Sequence, residues 1–264
     1  MTSVRTLSRQ QILTTMLFYA DAGVYWLFDP QEEENNKTKS TNIIHKKATP
    51  SHFSANLVSV SLEIDHTIVK KSYSIAKNAH SLSELKSAIS SFRDDIFQYM
   101  ESSTICADQE GQKDLMIIGY VPSYDDDIKG QPFSGRIGKM LDKMLESIGI
   151  TRIHTCISMI VPWHSLGNRK LSATEIEICR TFIMRQIELA SPKILLLLGN
   201  SATQFFLKND EKIYANLGKW NELTVKGHTM QTLSTLHPQE ILEYPLIKKI
   251  SWRDLITLKT ALES

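Results

Sequence analysis

The chain has 264 residues, 42% of them apolar and 22% charged, with a formal net charge of +1. That suffices for one α/β domain with an extension, or for two small domains, and it excludes a chain that binds nucleic acid through bulk charge alone. A local basic face remains compatible with this balance. The three cysteines, Cys106, Cys156 and Cys179, form no C-x-x-C pair. They point to a reducing compartment and argue against a disulfide framework or a cysteine-only metal site. No apolar run reaches the roughly 18 residues that span a bilayer, and no charge-free apolar leader stands at the N-terminus. A cytoplasmic protein without a membrane partner is expected.

Residues 8–29 carry apolar positions at helical spacing (Ile12, Met16, Phe18, Leu27), with Trp26 and Phe28 adding bulk. Residues 1–30 are therefore expected to form a helical N-terminal extension. Residues 31–54 are polar, closed by Pro50, and read as a disordered linker. Residues 55–264 follow as an α/β domain with its core over 114–262. Within it, 56–75 leaves helix and extended chain both open. Ser81-Leu-Ser-Glu84 spells a capping box ahead of Leu85, Ile89 and Phe92, which predicts a helix over 82–99.

From Asp114 onwards the elements alternate. A strand is predicted at 115–118, then the Gly119–Pro122 turn, three consecutive aspartates, and a helix at 135–148 stopped by Gly149. A strand over 153–161 leads through the polar loop Trp163–Leu171 to a helix at 172–190. The unbroken Ile-Leu-Leu-Leu-Leu within 193–198 fits a strand buried on both faces. A helix at 201–207, a hairpin or paired strands over 223–235, the Leu236-His237-Pro238 turn and a last helix at 247–262 complete the chain. This alternation predicts an α/β fold, a three-layer αβα sandwich around a central, mainly parallel four-stranded sheet. The turns GYVPS, PWHSLGNR, GNS and LHP then gather at the carboxyl edge of the strands, where such sheets bind ligands.

Three segments in order resemble the uracil-DNA glycosylase superfamily, most closely its family 4 branch. The segment GYVPSYDDDIKGQPFSG (119–135) is similar to the family's G-E-A-P-G-x-x-E-D-x-x-G-x-P-F-x-G. PWHSLGNR (162–169), with the helix after it, resembles the family's C-R-P-P-G-N-R loop, and TLHPQ (235–239) resembles its Y-H-P turn. The resemblance implies a DNA repair enzyme that flips uracil out of DNA and hydrolyses its N-glycosidic bond. It implies that Phe133 stacks on the base, that His237 donates to uracil O2 as negative charge develops, and that Asn168 holds the attacking water. Asp126 is the match to a site acid. Gly119, Tyr120, Val121 and Pro122 would line the pocket, while Arg169, Ser134 and Ser201 would contact phosphates. Each has a structural alternative: a core phenylalanine, a His-Pro turn, a loop-capping asparagine, a solvated acidic turn, an arginine bracing its own loop.

The departures from the family pattern are specific. Tyr120 stands where the family has a glutamate. Met159 stands where an asparagine reads the uracil edge, a change worth about 1–3 kcal/mol of base discrimination. Neighbouring Ser158 faces the other side of the strand. The family's iron–sulfur cluster needs four cysteines; only Cys179 matches, Trp163 replaces the loop cysteine, and the Asp94–Phe97 region replaces the N-terminal pair. No cluster and no other metal is expected, with Trp163 filling that volume by apolar packing. The expected partner is DNA containing uracil or another damaged base, met by a monomer. The competing expectation is a degenerate glycosylase fold that binds DNA or protein without cleaving.

Overall fold

The computed structural model describes residues 65–92, 103–107, 111–164, 170–207 and 217–263. The helix expected over 8–29, the linker over 31–54 and the Asp94–Phe97 region lie outside these residues.

Two helices come first, α1 (His66–Asn78) and α2 (Leu82–Ser91). α1 resolves the open reading of 56–75 in favour of helix from His66, capped by the Asp65 carboxylate. The Ser81 hydroxyl caps α2 by accepting from the Glu84 amide, as expected. Glu84 returns its carboxylate to the His80 amide rather than to Ser81.

The sheet begins with β1 (Leu115–Gly119), followed by α3 (Tyr124–Lys129) and α4 (Gly135–Glu146). β2 (Thr155–Met159) leads to α5 (Ala173–Ala190), β3 (Ile194–Leu198) and α6 (Asn200–Leu207). β4 (Trp220–Val225) and β5 (His228–Thr235) form the hairpin, and α7 (Pro238–Glu243) and α8 (Lys248–Leu262) close the chain. The strand order is β2-β1-β3-β5-β4, with β1, β2, β3 and β5 parallel and β4 antiparallel at the edge. The sheet thus has five strands rather than the expected four, because the hairpin contributes both of its arms.

Alternation along the strands sorts the core into two layers. Leu115, Ile117, Ile157, Leu196 and Leu198 face one side and pack on Leu141 and Leu145 of α4, Ile241 of α7 and Leu255 of α8. Met116, Ile118, Leu195 and Leu197 face the other and pack on Cys179, Ile183 and Ile187 of α5 and Ala202 of α6. Each such buried aliphatic side chain contributes about 1.5–3 kcal/mol, which is why the Ile194–Leu198 run has no polar residue. This is the expected αβα sandwich.

A third apolar cluster lies on the outer side of α5. Ala76, Leu85, Ile89 and Phe92 from the first two helices meet Ile178, Phe182 and Trp163. The Arg185 guanidinium fastens this layer by donating to the Ala79 carbonyl at 2.6 Å.

The connection from β1 leads to β2 on one side of it, and the connection from β2 crosses back to β3 on its other side. The sheet therefore has its topological switch beside β1, and the crevice outside the strand ends opens there.

Candidate active site

Gly119 ends β1 directly beside Met159, which ends β2. A Cβ on Gly119 would sit 2.6 Å from both Met159 Sδ and Phe133 Cζ, so only glycine lets these side chains close over the strand end. Leu198 ends β3 beside Thr235 of β5, and the Gly199 amide continues the pairing to the Thr235 carbonyl at 2.9 Å. Two residues beyond Thr235, His237 turns back so that its ring centroid lies 5.6 Å from that of Phe133, the planes 38° apart. Phe133, Met159, Gly119 and His237 are thus brought together from four separate segments.

His237 is held by the start of α7. Its backbone N–H donates to Glu240 Oε2 at 2.6 Å, and its Nδ1 accepts from the Gln239 amide at 3.2 Å. An Nδ1 that accepts cannot carry the proton, so the neutral ring is the Nε2–H tautomer. Crowding by protein pushes its pKa down from 6.5 to about 4. At neutral pH the residue is therefore an uncharged donor with Nε2–H still available.

Phe133 is buried and has a left-handed backbone, φ 52°. A non-glycine residue held there costs about 1–2 kcal/mol unless its surroundings enforce it. The enforcement comes from Arg152, just ahead of β2. Its guanidinium donates to the Pro132 carbonyl at 3.1 Å and to the Phe133 carbonyl, while its Nε pairs with Asp142 of α4. Gly138 permits the approach, since a Cβ there would lie 1.9 Å from the Phe133 carbonyl oxygen. Arg152 and Asp142 were not picked out from sequence; their roles arise only when residues far apart in the chain meet.

Asp126 is buried between two backbone donors. Its carboxylate accepts from the Ser123 amide at 2.8 Å and from the Ser134 amide. Burial nevertheless pushes its pKa up from the usual carboxylate range, more than these bonds pull it down. With Ser123 it forms a reciprocal capping box that makes residues 124–129 the short helix α3. This geometry ties the turn after β1 to the segment carrying Phe133. The spelling Ser-x-x-Asp was present in the sequence as a signal for it.

Other expected residues are dispersed. Tyr120 packs with the cluster on the opposite face of the sheet from Phe133, because alternation continues past Gly119; its carbonyl accepts from Val161 at 2.9 Å. Val121 is exposed and Pro122 buried. The Ser134 hydroxyl donates to the Gln131 carbonyl at 3.0 Å, and Ser201 lies half-buried in the first turn of α6. Ser158 faces away from Met159's side, as expected, bonding to Gln186 at 2.6 Å. Asn168 and Arg169 lie outside the described residues.

The donor set does not fit a four-thiolate cluster. The chain has three cysteines in all, and each is a buried free thiol. Burial pushes the Cys179 thiol far above its ordinary range, the reverse of what a thiolate ligand requires. Trp163 and Phe182 stand edge to face, 6.4 Å between centroids, and Phe92 meets Phe182 at 5.4 Å.

Comparison with known proteins agrees with this arrangement. A profile of the uracil-DNA glycosylase superfamily matches residues 108–256, more than half of the chain. The Type-4 uracil-DNA glycosylase of Saccharolobus solfataricus is 31% identical over 159 residues, covering 57% of this chain and 72% of that protein. The Type-4 uracil-DNA glycosylase of Archaeoglobus fulgidus is 29% identical over 140 residues, covering 52% and 70%. That of Thermotoga maritima is 30% identical over 135 residues, covering 50% and 69%. With the matched segment spanning every strand and both sides of the crevice, the chain belongs to the uracil-DNA glycosylase superfamily.

Proposed function

We propose that this chain is a DNA N-glycosylase that excises uracil from DNA by hydrolysis, after the base is flipped out of the helix. The observation that carries the reading is His237: a neutral imidazole with its proton fixed on Nε2, beside Phe133, at the carboxyl edge of a parallel sheet. When the bond from the base nitrogen to the sugar carbon breaks, its electron pair stays on the base and spreads to the adjacent carbonyl oxygen. A preorganised donor at that oxygen lowers the barrier and can be worth a few kcal/mol, because it needs no reorganisation as the charge appears. A neutral ring suits this role, since it donates without itself losing a proton. Water then adds to the sugar carbon and gives up its proton to solvent.

In this reading Phe133 supports the flipped base through its ring, and Gly119 keeps the floor of the pocket free of a side chain. Asn168 orients the water, and Arg169 and Ser201 meet phosphates, roles that rest on the family resemblance. Asp126 acts as a brace for the Phe133 segment rather than as an acid, since both of its oxygens are committed to backbone donors. The three-thiol inventory supports a protein that works without an iron–sulfur cluster, its place taken by the Trp163, Phe182 and Phe92 stack. We further read the protein as a cytoplasmic monomer; among the described residues no helix is long and apolar enough to cross a membrane.

One observation favours the competing reading of a fold that binds without cleaving. Met159 is buried against the end of β1, where the relatives' edge-reading amide would stand, and offers the base no hydrogen bond. The two readings separate in an excision assay on single- and double-stranded oligonucleotides bearing one uracil. Abasic product from wild type, and its loss in His237→Ala, supports the enzyme; no product at micromolar protein supports the binder. Met159→Asn provides a further check, with uracil preferred over thymine by a further factor of about ten or more if this position faces the base edge.

A further inference from the structure

A groove of about 620 Å³ lies between α4, α7 and α8, and none of Gly119, Phe133, Met159 and His237 lines it. Its interior is apolar: Met140 and Met144 of α4, Ile241 and Leu242 of α7, and Trp252 and Leu255 of α8 line it. Its rim carries four cations, Arg136, Lys139, Lys143 and Lys248, and no carboxylate lines it. Among the described residues none of these four enters an ion pair, whereas Arg152, Arg185 and Lys226 all do. The same side of the molecule exposes Trp252 at 44% and Ile256 at 42%, one helical turn apart on α8.

We propose that this groove is a docking site for an acidic segment of a partner protein, one with bulky apolar side chains set between its carboxylates. Charge complementarity selects the acidic character: four unpaired cations in a chain of net charge +1 concentrate a positive field over one cleft. The apolar interior selects protein over DNA, because phosphate backbones are held by cations and polar donors and leave an apolar floor unsatisfied. Met140 and Met144 provide adaptable walls, and Trp252 a large anchor, the residue types on which helix-in-groove binding concentrates its affinity. The position gives the contact consequence. α4 begins two residues after Phe133, and α7 begins directly after His237, so a partner seated here grips the elements that carry the site through residues other than Phe133 and His237 themselves.

The test uses the full chain and fluorescence anisotropy. The first probe is a fluorescein-labelled peptide with Glu and Asp interleaved with Leu and Phe at helical spacing. The second keeps the carboxylates but carries Ser in place of Leu and Phe, and the third is a labelled uracil-free oligonucleotide. The first peptide should bind saturably, the second at least about tenfold more weakly. Lys139→Glu with Lys143→Glu, and separately Trp252→Ala, should each weaken the first peptide about tenfold or more. These exposed positions should leave uracil excision and oligonucleotide affinity at wild-type levels. The proposal is overturned if the first peptide fails to bind, if either variant binds it as wild type does, or if the serine peptide binds equally well. It is equally overturned if oligonucleotide affinity falls in parallel with peptide affinity in the lysine variant, which would make the groove a phosphate track.

Discussion

His237 shows how a residue's neighbours decide its chemistry. The Gln239 amide on Nδ1 fixes the tautomer, and crowding holds the ring neutral with a pKa of about 4. The pH dependence follows in sign. The unfolded chain protonates this histidine below about 6.5, while the folded chain resists until about 4, so its contribution to stability is complete above about pH 6.5 and declines as pH falls towards 4. Heating curves should show this loss in wild type and a shallower one in His237→Gln. For the same reason the rate of excision should show no step near pH 6.5 from this residue, and an NMR titration should find one imidazole titrating near 4. A ring titrating near 6.5 would contradict the assigned environment. Little of this was legible in the sequence. The LHP turn marked the position, but the tautomer depends on a backbone amide and the depressed pKa on packing.

At the scale of the element, the segment 119–138 is a strand end, a capped short helix and a left-handed phenylalanine wired together. The wiring comes from Asp126 within the segment and from Arg152 outside it. Arg152→Ala should release Phe133 from its positive φ, lowering affinity for a uracil-bearing oligonucleotide by roughly tenfold and leaving the Nε2 donor of His237 in place. Arg152→Lys should not restore it, because one ammonium cannot replace a planar fork that bonds two carbonyls and a carboxylate. Equal binding by wild type and Arg152→Ala would show that Phe133 is held by packing alone. Most elements here were readable from alternation and helical spacing. The helix at 124–129 was not, because three aspartates in a row read as a solvated turn although Ser123 and Asp126 spelled its cap. Tyr120, expected to line the pocket, packs with the cluster on the opposite face, because the pairing of its carbonyl with Val161 carries the strand's alternation one residue past Gly119.

At the scale of the whole molecule, the parallel sheet was legible because β1 and β3 are continuous apolar runs set between helical patterns, and the order of motifs placed their turns on one edge. The edge strand β4 was less so, since its half-exposed pattern carries little information apart from its partner. The layer outside α5 is built on an aromatic stack of Trp163, Phe182 and Phe92. Trp163 is buried against Phe182 and the first two helices, and Trp163→Ala should cost about 3–5 kcal/mol in denaturant unfolding. Purified protein should show no visible absorbance band; a brown preparation would contradict the cluster-free reading. The central claim, that the crevice cleaves the uracil glycosidic bond with His237 as donor, is tested most directly by single-turnover excision from a uracil-bearing oligonucleotide. Wild type should give abasic product, and His237→Ala should slow it by about 10²–10³ at saturating enzyme with the fold intact. No product from wild type, or an unchanged rate in the variant, would contradict it.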